Sequence, residues 1–210
     1  MDNALDIATE FLTDAEIESL GKHLDKYKEL HERDAHQNSF LDFVNHVWPS
    51  FITGNHHKIF ADKLERVANG ELKRLIVNMP PRHTKSEFAS YLFPAWVMGK
   101  SPSTKIIQAT HTAELAVGFG RKVKNLLDSD IYRDVFPKME LAKDAKASGR
   151  WSTNEGGEYY AVGVGGALAG RGANLCIIDD PVSEQDALSP TALDNIYEWY
   201  TSGPRQRLQP

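Results

Sequence analysis

Arg74-Leu75-Ile76-Val77-Asn78-Met79-Pro80-Pro81-Arg82-His83-Thr84-Lys85-Ser86 is an apolar run that breaks at a double proline and ends on a Lys-Ser pair. Residues 74–78 have the length and branched content of a buried strand, and the apolar positions that follow predict a helix over 85–98 stopping at Gly99, before Ser101-Pro102. A bend between a strand and a helix is where a phosphate-binding loop belongs. There, backbone N–H groups and the positive helix end surround the β- and γ-phosphates, a lysine supplies a point charge and a hydroxyl binds magnesium. Lys85 and Ser86 fit the last two roles of such a Walker A loop. The usual pattern has glycine six residues before the lysine and again directly before it, and here Met79 and Thr84 stand there. Pro80 and Pro81 donate no N–H, so the cradle falls to Arg82, His83, Thr84, Lys85 and Ser86, stiffened at its entrance by two fixed φ angles. Taken alone, a Lys-Ser pair after a strand usually marks a solvated helix start.

Working outward, the grammar from residue 73 onward is that of parallel βαβ units: short apolar runs alternate with amphipathic segments. Strands are expected at 74–78, 105–110, 158–164 and 174–179. A helix capped by Thr112 should bury Leu115, Val123, Leu126 and Leu127, and a further helix should start at Ser189-Pro190. The strand Leu175-Cys176-Ile177-Ile178 ends in Asp179-Asp180-Pro181, as a Walker B strand does when it offers one acid to the magnesium shell and the next to the attacking water. The plainer reading is that the acids cap the next turn, which Asp-Pro also favours. Two motifs in this order, each at a strand end and about 94 residues apart with two strands between them, favour the nucleotide reading. The fold expected is α/β, a P-loop NTPase (ASCE type) with a mainly parallel sheet flanked by helices, with Asp180 as the acid beside Walker B.

Between the motifs, Gly163-Val164-Gly165-Gly166-Ala167-Leu168-Ala169-Gly170-Arg171-Gly172 permits close backbone approach and displays one guanidinium. Arg171 can offset charge on a transferring phosphoryl group; a flexible turn whose arginine pairs with a surface acid is the bland reading. Upstream, Thr13 and Glu16 form a capping box, and Ile17, Leu20, Leu24 and Tyr27 recur on one face, predicting a helix over 14–33 with a polar link, 31–38, behind it. Residues 1–38 therefore read as a helical appendage, and 39–210 as the ATPase domain. Ser39 can cap a helix through Phe43, Val44, Val47 and Trp48, and Ile59, Phe60, Leu64 and Val67 mark another that Gly70 ends.

Composition bounds the function. The chain has 210 residues, 41% hydrophobic and 25% charged, which excludes disorder as its main state. No apolar stretch reaches the roughly 18 residues of a membrane span. Met1 to Glu10 lack the pattern of a secretory signal and Cys176 stands alone, so a reducing cytoplasm is expected. A net charge of -5 argues against a generally basic surface, and the clusters Arg121, Lys122, Lys124 and Arg205, Arg207 are ordinary solvated faces by composition. The histidines show no zinc-ligand spacing, so no metal beyond magnesium is called for.

Trp48-Pro49, His56-His57, the run from Arg74 to Ser86, Gly170-Arg171-Gly172 and Ile177-Ile178-Asp179-Asp180-Pro181 together resemble the large terminase subunit of tailed bacteriophages, over roughly residues 40–200. The resemblance implies an N-terminal ATPase domain that drives double-stranded DNA into an empty capsid from the host cytoplasm, in a homo-oligomeric ring that meets the small terminase subunit and the portal protein. It implies ATP and Mg²⁺ as ligands, motor chemistry on Lys85, Ser86, Asp179 and Asp180, and a phosphate contact from Arg82. It makes Arg171 a finger that reaches a neighbour's ATP and puts the segment around His57 near the adenine. Thr84 departs from the family's glycine and Asp180 from its frequent glutamate. The family's coupling motif and RNase H-like nuclease domain are expected beyond Pro210, so no cutting is expected of these residues. The alternative is a catalytically weak or inactive truncated fragment that acts as a binding module for the small subunit or portal.

Overall fold

The computed structural model describes residues 12–144 and 147–208. Among the described residues four α-helices come before the first strand: α1 (Asp14–Asn38), α2 (Phe40–Val47), α3 (Asn55–Ala68) and α4 (Phe93–Lys100). They are followed by β1 (Lys105–Thr110), α5 (Ala113–Leu127), α6 (Asp130–Val135), β2 (Arg150–Ser152), β3 (Glu158–Gly163), β4 (Leu175–Ile178) and α7 (Pro190–Ser202). Among the described residues no helix is long and apolar enough to cross a membrane.

The sheet runs β2-β3-β1-β4. β1 pairs in parallel with β3 from Lys105↔Glu158 to Thr110↔Gly163 and with β4 from Ile106↔Leu175 to Ala109↔Ile178, while β2 is antiparallel to β3. The fold is therefore α/β with a mostly parallel sheet. On one face Ile106, Tyr159, Leu175 and Ile177 meet a helical layer centred on Phe40, Phe43, Phe88 and Trp96. On the other, Ile107, Ala109 and Val162 meet Leu168, Ala173 and the indole of Trp199 on α7.

Several expectations change. Residues 74–78 are not a strand, although Leu75, Val77 and Met79 pack on the core while Ile76 is 87% exposed, the alternation of extended chain. A strand exists only by pairing, and β4 is the last strand on that side of the sheet, met there by a single parallel bridge, Ala173↔Leu208. The first helix continues through the stretch expected to be a linker, because Arg33 Nε and Gln37 Nε2 donate to the carbonyls of Asp134 and Val135 at the end of α6 and Trp96 Nε1 donates to the His36 carbonyl. Its Thr13 N–H donates to Glu16 at 2.8 Å, as the capping box requires, yet none of its side chains is buried; residues 1–11 of the expected appendage lie outside the described residues. Gly99 does not stop its helix but lies inside α4, where a Cβ would come within 2.4 Å of the Phe136 ring. Leu115 is exposed, not buried, and β2 and α6 were not anticipated. β2 is held by Trp151 stacked on Tyr159 at 4.8 Å.

Candidate active site

The parallel strands point their C-terminal ends at one edge of the sheet, where ligands gather in open α/β folds. Two elements meet there. The loop 79–84 leads into a helix that begins at Lys85, passes through a π turn (Glu87–Leu92) and continues as α4. β4 ends at Ile178 and releases Asp179 and Asp180. The widened turn places Ser90 inward, where its hydroxyl donates to Asp179 Oδ2 at 2.9 Å and accepts from Gln108 Nε2 of β1 at 3.2 Å. Asp179, just past the end of β4, stays tied to β1 by its own N–H, which donates to the Ala109 carbonyl at 2.9 Å.

Lys85 Nζ lies 3.3 Å from Asp179 Oδ1 and also bonds Asp180 Oδ1. In a regular strand two successive carboxylates would point to opposite faces of the sheet. Here Asp180 leaves the strand with φ 43°, which turns its side chain back to the ammonium that Asp179 already meets. Asp179 is buried and Asp180 is exposed, so the two acids have different surroundings although they share a cation. Burial pulls the Lys85 ammonium toward its neutral form, but the Asp180 hydrogen bond and both carboxylates outweigh it, and its pKa is raised.

Of the cradle residues expected from the sequence, Arg82, His83 and Thr84 lie on this loop and Lys85 and Ser86 begin the helix, with Arg82 and Thr84 both at φ 62°. His83 is exposed and turns back, its Nδ1 donating to the Pro81 carbonyl at 2.8 Å. Ser86 falls in the first turn of the helix, where backbone N–H groups have no intrahelical partner. His57 Nε2 meets Thr84 Oγ1 at 2.7 Å, so His57 touches the loop itself. Arg171 does not join this corner. Its guanidinium lies 4.1 Å from the Tyr160 ring centroid and 3.7 Å from Glu158. Glu158 is level with Lys105 at the start of β1, whereas Asp179 is level with its end, so about 16 Å of strand separates them.

Sequence reading missed three polar residues at the site: Ser90, Gln108 and His111. Gln108 Oε1 and His111 Nδ1 are buried without a hydrogen-bond partner, and His111 N–H donates to the Asp180 carbonyl at 3.2 Å. A glutamine inside the run Lys105–Thr110 was the available signal. Orphaned polar atoms beside an ammonium and two acids fit a corner that handles a polar ligand. An apolar cleft of about 240 Å³ on the other face of β4, lined by Ile178, Pro181, Leu193 and Tyr197, presents no charge to a phosphate.

The donor set fits magnesium, which is commonly held by one or two carboxylates with phosphate oxygens and water completing the shell. Among the described residues no three His, Cys, Asp or Glu side chains gather as a larger metal cage would need. No family model, curated protein or solved structure matches this chain.

Proposed function

We propose that this chain is the P-loop ATPase domain of a viral DNA-packaging terminase, hydrolysing Mg-ATP to move double-stranded DNA into a procapsid. One observation carries the ATPase reading: the Lys85 ammonium is shared by Asp179 and Asp180 at the mouth of the loop 79–86. A lysine at a helix start facing two acids at a strand end is the pairing that phosphoryl transfer uses. The terminase assignment rests on the motif resemblance from Trp48 to Pro181.

Hydrolysis at such a site is positioning and electrostatics. Lys85 leaves its carboxylates and meets β,γ-phosphate oxygens, while the N–H groups of residues 82–86 receive the rest of the anion. Magnesium, when bound, offsets phosphate charge, and Asp179 and Ser86 would hold it. Ser90 keeps the Asp179 carboxylate aimed at that place. Asp180, solvent-facing, orients the attacking water and accepts its proton. In this reading Arg171 serves a neighbouring subunit of a homo-oligomeric ring, in the host cytoplasm, with the small terminase subunit and portal as partners.

The placement of Arg171 away from this corner also fits a second reading, a weak or inactive module that docks the small subunit or portal. Mg-ATP binding and turnover of the parent, Lys85→Ala and Arg171→Ala, measured over a range of protein concentrations, separate the two. The ATPase reading expects Lys85→Ala to lose binding, and Arg171→Ala to keep binding but lose the concentration-dependent rise in turnover. Equal ATP binding by the parent and Lys85→Ala would sink it.

A further inference from the structure

Among the described residues three other than glycine have left-handed backbone, Arg82, Thr84 and Asp180, and all three lie at the candidate site. For a β-branched residue such as Thr84, φ 62° is strained and must be held by its surroundings. The holding contacts form one directed chain. Gly54 N–H, at the start of α3, donates to His57 Nδ1 at 2.9 Å. An N–H can only donate, so Nδ1 is bare and the ring proton sits on Nε2, which donates to Thr84 Oγ1 at 2.7 Å. Thr84 Oγ1 then donates to the His83 carbonyl at 2.6 Å.

The ring at the centre of this chain cannot swing away. His57 is 6% exposed, with Phe51 edge-on at 4.7 Å and Phe88 stacked at 5.3 Å. Both ring nitrogens are engaged, which leaves no edge of His57 to read a nucleobase.

We propose that His57 is a positioning residue that locks Thr84 in the left-handed conformation, doing through a hydrogen bond what glycine before the lysine does through its missing side chain. The lock fixes the direction of the loop's N–H groups toward a phosphate. This inference rests on reading residues 82–86 as a phosphate cradle.

The test is calorimetric binding of Mg-ATP and of inorganic pyrophosphate to the parent, His57→Ala, Thr84→Gly and the double variant. His57→Ala should weaken both ligands about tenfold in the threonine background, the worth of one net hydrogen bond, and by less than twofold in the Thr84→Gly background. An equal loss in both backgrounds, or a loss for ATP with pyrophosphate untouched, overturns the proposal. If His57→Ala does not fold, His57→Leu, which likewise has no donor for Thr84, is read in the same way. Ligand-free ¹H–¹⁵N spectra separate the two levels of the argument: a proton on Nδ1 overturns the lock whether or not nucleotide binds. An Nε2–H ring in a parent that binds neither ligand overturns the cradle and the purpose of the lock with it.

Discussion

Replacing Lys85 by methionine keeps most of the side chain's volume and deletes the ammonium 3.3 Å from Asp179. At an effective dielectric near 20, a pair at that distance is worth about 5 kcal/mol, and the exposed Asp180 adds less than about 1 kcal/mol. Removing one partner of a buried pair leaves the other charge uncompensated, which costs about 3–5 kcal/mol, so the variant should be about 3–4 kcal/mol less stable than the parent. Urea unfolding of both proteins reads this directly, and adding Asp179→Asn should recover most of the deficit. A deficit below about 0.5 kcal/mol, or one that Asp179→Asn does not reduce, would show that Asp179 does not depend on Lys85.

Asp180→Asn keeps the shape of the corner and removes the proton acceptor, so Mg-ATP binding should persist while turnover drops by roughly 10²-fold or more, measured as phosphate release under saturating nucleotide. Gly99→Ala would ordinarily gain helix propensity, but its Cβ would lie 2.4–2.6 Å from Phe136 ring atoms, so overpacking wins and a loss of about 1–3 kcal/mol is expected in thermal unfolding; a variant as stable as the parent contradicts that packing. Burial, then the neighbouring His56 and His83, hold the His57 pKa below its ordinary value. The unfolded chain therefore takes that proton first, and stability should be full above about pH 6.5 and fall below it, a slope that His57→Gln should reduce in melts between pH 7.5 and 5.5.

What the sequence could and could not disclose follows from how each feature is made. The runs 105–110, 158–163 and 175–178 are apolar enough to be recognised one at a time, and the caps Ser39, Thr112 and Ser189 announce the helices they begin. Residues 74–78 carry the same alternation, but pairing belongs to a neighbour and not to the segment, and no local pattern reports it. β2 is three residues long and is held by a stack between Trp151 and Tyr159, so it has no period to read. At the site, Lys85, Asp179 and Asp180 were legible because each ends or begins an element. Ser90 and Gln108 act only through contacts between a helix and a strand, and Arg171 is assigned its place by the Tyr160 ring and not by its glycine-rich flanks.

The strand that carries both acids is the sheet's outermost, and Leu208 touches its far side in parallel, level with Ala173. An extended segment from any source that zipped onward in that register would follow the outer edge of β4 and draw level with Asp179 within about six residues. Tension or slack in such a rider would be felt first by the backbone that aims the two carboxylates. Assembly at this rim and chemistry at its tip would then share one lever.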